Sequence, residues 1–423
     1  MKRVKPFQGI LYNPSKVSGE DVIAPPYDII TPEHKELLYE KSPYNIVRVD
    51  YGKEMPGDNE GLNKYTRSRD LMDAWMSEGV LIRDDRPSYY VCEVDYEIFG
   101  EKKRLRGILA LVKIEELGNG IYPHEETRKK AKDDRLNLMR ACNANVSPIF
   151  GMYNSPERVT SQVIEKVGGE AYLTAEDGDG AVHRLYRIDD PEKIELINGE
   201  LSAKPIFIAD GHHRYEVALE FKREMERAMG WDKDAVREPQ PWDYVMMFLA
   251  NMADEGLTVL SAHRLVKGLD KAEALKALEP FFEMQSQGMD AEVLQTLRRE
   301  GKGFFGLYLK GEENWLLLRF KGAELSHIHP ALRELDVVTL HELVFKDILG
   351  SRGSGSEGLS IEFEMDVSEA MGEVRKGEFD AVFFLNPTVV ADVERVSLAH
   401  LRMPPKSTYF YPKLLTGMVI NKW

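Results

Sequence analysis

Ile206-Phe207-Ile208-Ala209-Asp210-Gly211-His212-His213-Arg214-Tyr215-Glu216 passes from an apolar run to a polar cluster within a few residues. Pro205 opens the stretch, Ile206 to Ala209 predict a short buried strand, and Gly211 supplies the backbone freedom for a sharp turn. Beyond it, Ala218, Phe221, Met225 and Ala228 recur at three- and four-residue spacing, with Leu219 and Met229 beside them. Glu220, Arg223, Glu224 and Arg227 cover the other face, so the pattern is that of an amphipathic helix. The predicted order is strand, glycine turn, helix.

That order puts His212, His213 and Arg214 in the first helical turn. Backbone N–H groups and the positive end of the helix dipole already favour an anion there, so added cations cost roughly 0.3–1 kcal/mol per charge. A phosphate bound across the turn reverses that sign. The plainer alternative is that Asp210 caps the helix and pairs with Arg214, the histidines being merely solvated or hydrogen-bonded.

The chain has 423 residues, enough for two or three domains. With 43% hydrophobic and 30% charged residues it reads as a soluble globular protein. No apolar run approaches the roughly 18–20 residues that span a bilayer, and the basic start Met1 to Phe7 lacks the apolar core of a signal peptide. A cytoplasmic protein with no membrane partner is expected. Cys92 and Cys142 are the only cysteines and have no ligand-like spacing. The net charge of -15 opposes a nucleic-acid partner, although a local basic site is compatible with it. Residues 350 to 358, rich in Gly and Ser, read as flexible.

In chain order, Ala24-Pro25-Pro26-Tyr27-Asp28 holds an extended backbone before a helix that Thr31 and Pro32 start. Tyr27 and Asp28 are candidates for a substrate-site wall, a rigid turn being the alternative. Ile46-Val47-Arg48-Val49 predicts a strand and Tyr65 to Gly79 an amphipathic helix. Tyr89–Ile98 and Leu105–Ile114 predict a hairpin across residues 100–104, hence an antiparallel or mixed sheet. The second polar cluster, Tyr122 to Arg128, contains His124-Glu125 at an element end, where catalytic groups are often presented. Lys129 to Arg140 reads as a helix with a solvated charged face. Tyr244–Ala250 and Leu257–Leu260 predict strands, followed by the basic pair His263-Arg264. Then come a helix over Lys271–Phe282, a hairpin over Phe304–Leu309 and Trp315–Phe320, and a helix over Val337–Leu349. Ile361–Met365, Glu369–Lys376 and Ala381–Leu385 give strand, helix, strand. Lys406, Ser407 and Thr408, within Met403 to Lys413, offer a cation and two hydroxyls suited to phosphate oxygens, or else form an exposed edge strand.

Ala24 to Asp28, Pro123-His124-Glu125, Ala209 to Tyr215, His263-Arg264 and Met403 to Lys413 together resemble the marks of a widespread prokaryotic family carried as a domain of unknown function. That similarity runs from Phe7 to Asn421. More narrowly, Asp210-Gly211-His212-His213-Arg214 resembles the phosphate-binding turn of the ParB and sulfiredoxin-like superfamily, which includes DNA-partition proteins, sulfiredoxins and free-serine kinases. Sulfiredoxins carry a catalytic cysteine where His212 or His213 stands here, and partition proteins a helix-turn-helix that this sequence lacks. The kinase turn is the one most similar.

The resemblance implies a small-molecule phosphotransferase that uses Mg2+ and ATP or ADP on free serine or a similar hydroxyl metabolite. In that reading Gly211, His212, His213, Arg214, His263, Arg264, Lys406, Ser407 and Thr408 bind nucleotide phosphate. Tyr27, Asp28 and His124 bind substrate, Glu125 is the base, and Asp210 is a second candidate base or a magnesium contact. The partners are then a small molecule and a nucleotide. Alternatives are a nucleotide-hydrolysing switch, and a metal hydrolase with His124, His212, His213 and His263 as ligands. The expected architecture is α+β with mixed sheets. A larger N-terminal part, residues 1–266, carries the turn, and a smaller α/β part, residues 267–423, sends its tail back to the site.

Overall fold

The computed structural model describes residues 2–127, 129–231, 237–288, 292–323, 325–350 and 358–423. Most of the Gly/Ser-rich stretch and Arg128 therefore lie outside the described residues. The chain forms two compact units. Unit 1 comprises Met1–Pro123, Thr127–Thr258 and Pro412–Trp423; unit 2 comprises His124–Glu126 and Val259–Tyr411. The chain leaves unit 1 at Thr258, ahead of the expected Val266, and the strand His263–Lys267 pairs with Ser360–Glu364 and Ala381–Leu385. Residues 412–423, and not Lys406, rejoin unit 1.

Unit 1 is built on one mixed sheet whose strands are β1 (Val4–Lys5), β2 (Tyr89–Ile98), β3 (Glu101–Lys113), β4 (Ile121–Tyr122), β5 (Ile149–Tyr153), β6 (Leu173–Glu176), β7 (Val182–Ile188), β8 (Ile206–Asp210) and β9 (Tyr244–Asn251). Their order is β4-β8-β5-β9-β3-β2-β7-β6, with β1 beside β3. The pairs β4–β8 and β5–β9 are parallel and the others antiparallel. The expected hairpin is present but longer. Glu97 faces Lys102 and Asp95 faces Arg104, so cross-strand charge pairs carry the ladder through residues assigned to the loop. β9 is buried along its whole length, as its unbroken apolar run requires.

The helices of unit 1 that bear on the site are α1 (Pro32–Lys41), α2 (Val47–Asp50), α3 (Lys64–Ser77), α4 (Lys129–Cys142) and α5 (His212–Ala228). α1 starts as its sequence predicts, with Thr31 Oγ1 accepting the His34 N–H at 3.2 Å and Pro32 in the first turn. α2 replaces the expected strand. Asn45 Oδ1 takes the Val47 N–H at 3.0 Å while Nδ2 donates to the Asp21 and Ile23 carbonyls, so a side chain begins a helical turn where β-branched residues favour extension. α4 departs from a solvated face at one residue, Arg135, which is 7% exposed. Its Nη1 lies 3.0 Å from Asp50 Oδ1 and its Nη2 2.6 Å from Asp134 Oδ2.

Unit 2 has one six-stranded sheet: β10 (His263–Lys267), β11 (Phe282–Gln287), β12 (Phe304–Leu309), β13 (Trp315–Phe320), β14 (Ser360–Glu364) and β15 (Ala381–Leu385), in the order β11-β13-β12-β15-β10-β14. Every pair in it is antiparallel, so the C-terminal part is α+β and not α/β. The reason is local: a short connection, residues 310–314, joins β12 to β13, and β10 inserts between β14 and β15. Its helices include α6 (Lys271–Leu278), α7 (Val293–Glu300), α8 (Val367–Lys376) and α9 (Val390–Leu398). α6 stops at Leu278, short of the expected Phe282, which opens β11. Thr339–Leu349 is π-helical instead of the α-helix expected there. Among the described residues no helix is long and apolar enough to cross a membrane.

Candidate functional site

The strand–turn–helix predicted from residues 206–216 is present in unit 1. β8 ends at Asp210, Gly211 adopts a left-handed conformation at φ 90°, and α5 begins at His212. The pairing of β8 with β5 slips between Ile208 and Asp210, which re-aims the aspartate at the strand end. α5 is fixed by buried Tyr215, Val217, Ala218 and Phe221, and the Tyr215 hydroxyl donates to Glu115 O at 2.7 Å. Ala228, expected on the apolar face, is exposed where the helix runs out.

Asp210 organises the turn. Its Oδ1 accepts the Gly211 N–H at 2.9 Å, and its Oδ2 lies 3.3 Å from Lys413 Nζ and 3.7 Å from Arg214 Nη2. Burial alone would raise its pKa, but Lys413, Arg214 and His212 outweigh burial and hold the carboxyl well below the usual range. The plainer expectation of an Asp210–Arg214 pair is therefore met, whereas no side chain caps α5. The Arg214 head folds over Gly211 and donates to Pro148 O. A Cβ on residue 211 would stand 2.9 Å from Arg214 Nε. Gly211→Ala is accordingly expected to cost about 1–2 kcal/mol for its left-handed backbone and to push the guanidinium aside. Thermal unfolding together with a nucleotide titration checks this; a variant matching the parent in both would show that the turn relaxes freely.

Tyr27, one of the candidate substrate residues, sits in the same unit. The Arg135 guanidinium stacks over its ring at 4.0 Å. Burial pushes its hydroxyl up to about 12, while Arg135 and then Arg214 pull the other way, which puts both cations near it. Asp28 is exposed beside it. A cavity of about 40 Å³ is lined by Asp50, Arg135, Ser147 and Arg214, room for about one water. Sequence reasoning missed Arg135, Asp50 and Lys413 as members of this cluster. Arg135 is hidden in a Lys-Asp-Asp-Arg run that looks like surface, and Lys413 follows a proline with no periodic pattern around it.

His212, buried, and His213, half-buried, open α5 in unit 1; the other candidates fall in unit 2, and most of them meet there. Glu125 Oε1 accepts the Lys406 N–H at 3.0 Å, His124 Nε2 lies 2.9 Å from Thr408 Oγ1, and His124 O accepts the Met403 N–H at 2.8 Å. Arg264, 4% exposed, donates to the Ala262 and Lys406 carbonyls. Burial lowers its pKa to about 10. Lys406 is exposed, whereas Ser407 is buried with its hydroxyl donating to Pro404 O at 2.6 Å. His263 goes elsewhere. Neighbouring strand residues point to opposite faces, and its ring packs edge-on against Phe384 at 5.0 Å. Burial first and Arg264 second hold it near pKa 3, so it is neutral and offers no charge to a phosphate. The four histidines form no metal cluster; among the described residues no group of three or more His, Cys, Asp or Glu is placed to hold a metal ion.

Together, fold and site define an α+β protein, with a mixed sheet in unit 1 and an antiparallel one in unit 2, in which a strand–glycine–helix turn gathers cations about one aspartate. The chain belongs to the family described as "Protein of unknown function (DUF1015)", whose model matches residues 4–338. No curated protein matches it. Similar solved structures include a conserved hypothetical protein from Pyrococcus furiosus, at 14% identity over 72% of this chain and 90% of the other, with a TM-score of 0.32. Another is a free serine kinase in complex with AMP, at 15% identity over 74% and 92%, with a TM-score of 0.35. A third is SbnI with C-terminal truncation from Staphylococcus aureus, at 12% identity over 73% and 85%, with a TM-score of 0.36.

Proposed function

We propose that the protein transfers a phosphoryl group between a nucleoside di- or triphosphate and the hydroxyl of a small metabolite, free serine or a close analogue. One observation carries the reading: Asp210 holds Lys413 and Arg214 at the N-terminal end of α5, behind a left-handed glycine. Phosphoryl transfer asks the protein chiefly for charge neutralisation and positioning. Here the guanidinium, the ammonium and the helix end supply the charge, and Gly211 lets the backbone approach phosphate.

Asp210 suits the anchoring of these cations better than the roles of base or metal ligand. A general base works best with a pKa near the operating pH, and this carboxyl is held far lower. Its two oxygens are engaged by Gly211 and Lys413. Magnesium arriving with the nucleotide would keep phosphate and water ligands of its own. The base role stays with Glu125.

Phosphorus NMR of the protein with magnesium, ADP or ATP, and a panel of free amino and hydroxy acids tests the reading. A phosphomonoester that forms with one acceptor is the expected result. Glu125→Gln is expected to abolish its formation while nucleotide affinity holds; undiminished turnover would take the base role from Glu125. Nucleotide hydrolysis indifferent to every acceptor would replace the transferase with a hydrolysing switch.

A further inference from the structure

Unit 2 contains a cavity of about 240 Å³ between the C-terminal end of α7 and the Asn386–Val389 connection from β15 to α9. Its polar wall holds two cations, Arg298 and Lys302, and two carboxylates, Asp336 and Asp392, with Asn386 and Thr388 beside them; Leu335, Val337 and Pro387 make an apolar wall. Side-chain contacts frame this space. Asn386 Nδ2 donates to the Leu297 and Gly301 carbonyls, both at 2.9 Å, and so satisfies the last turn of α7. Asp392, in the first turn of α9, is tied twice, to Lys302 Nζ at 3.0 Å and to Arg395 Nη2 at 2.7 Å.

Asp336 is in a different position. Its Oδ1 accepts the Gly303 N–H at 2.9 Å, but among the described residues it makes no ion pair. Burial pushes its carboxyl up to about 6, with Asp392 adding to the rise and the Gly303 N–H and Lys302 opposing it. A carboxyl poised near neutrality inside a cavity is the kind of group that marks a binding site. The chain also runs from Asp336–Val338 directly into the π-helical Thr339–Leu349, a rare conformation that is frequent at functional sites.

Lys302 pairs with Asp392, which leaves Asp336 as the carboxylate of this cavity without an ion pair among the described residues. No group of metal-binding side chains surrounds it among the described residues, which favours an organic cation. The volume is below the roughly 300–1,000 Å³ of ordinary small-molecule sites, and one wall is apolar. We propose that this cavity binds a small primary ammonium compound with a short apolar body, its ammonium group seated against Asp336. The site stands apart from the phosphotransfer reading and survives its failure.

The test is calorimetric titration of the full chain with n-butylammonium chloride, with n-butanol as the uncharged control of similar shape. Butylammonium is expected to saturate and butanol not to bind. The ammonium binds the ionised carboxylate, so affinity should hold above the Asp336 titration and fall about tenfold per pH unit below it. The other charged groups that face the cavity are Arg298, Lys302 and Asp392, with Arg395 paired to Asp392. Asp336→Asn is expected to lose binding without a lower melting temperature, since an amide oxygen can still accept the Gly303 N–H and no ion pair is lost. Carboxyl carbon-13 NMR of the unaltered chain gives a second reading: saturating butylammonium should move the Asp336 titration downward. Absence of saturation, equal binding of the alcohol, or an unmoved Asp336 titration would each overturn the assignment.

Discussion

Arg135→Met is expected to lower the unfolding free energy of unit 1 by about 3–5 kcal/mol, the usual cost of stranding one partner of a buried ion pair. That is a large fraction of the ~5–15 kcal/mol that holds a typical domain together. Asp50, 3% exposed, is the partner left behind, and burial already pushes its carboxyl up despite the guanidinium 3.0 Å away. The Tyr27 ring loses its stacking cation in the same step. Urea unfolding followed by tryptophan fluorescence reads this unit well, because Trp75, Trp231, Trp242 and Trp423 lie in it and only Trp315 does not. The double variant with Asp50→Asn should recover part of the loss, giving a coupling of roughly 1–3 kcal/mol. Additive losses below about 1 kcal/mol would mean that the pair is hydrated and that Tyr27 is held by something else.

Arg214→Ala is expected to weaken ADP binding by roughly 10–150-fold, the equivalent of the ~1.5–3 kcal/mol of a hydrogen bond to a charged group. Lys413 remains on Asp210 in that variant, so the carboxylate keeps a counter-ion and the fold should survive. Arg214→Lys should restore little, because an ammonium cannot reproduce the two-pronged guanidinium contact with a phosphate. Isothermal titration at fixed ionic strength measures both variants. Wild-type affinity in the alanine variant would remove the turn from nucleotide binding, and with it the observation on which the phosphotransferase reading rests.

The elements most legible in the sequence are those whose pattern is local. β8, Gly211 and α5 are visible because an apolar run, a glycine and a three-to-four periodicity follow one another directly. Where a side chain decides the backbone, the pattern misleads: Asn45 turns a β-branched run into α2, and facing charges lengthen the β2–β3 hairpin. Partners distant in sequence leave no periodic trace at all. Nothing near Asp210 announces Lys413, and nothing near Asp50 announces Arg135. His263 shows the converse, a basic residue beside an arginine that strand alternation turns onto a phenylalanine.

Unit 1 is completed by residues 412–423, which follow the whole of Val259–Tyr411. During synthesis, β1 to β9 therefore leave the ribosome well before Lys413 and before the short strand Asn421–Lys422 that pairs with Ala144–Asn145. The intervening stretch is about 150 residues long, a wait of roughly 8–30 s at ordinary elongation rates. Throughout that interval Asp210 lacks its lysine, so the nascent turn emerges with a different charge balance from the finished one. Completion of this unit is thus timed by translation of the other, and a slow codon or a chaperone acting within residues 259–411 would alter how long the larger sheet stands unfinished.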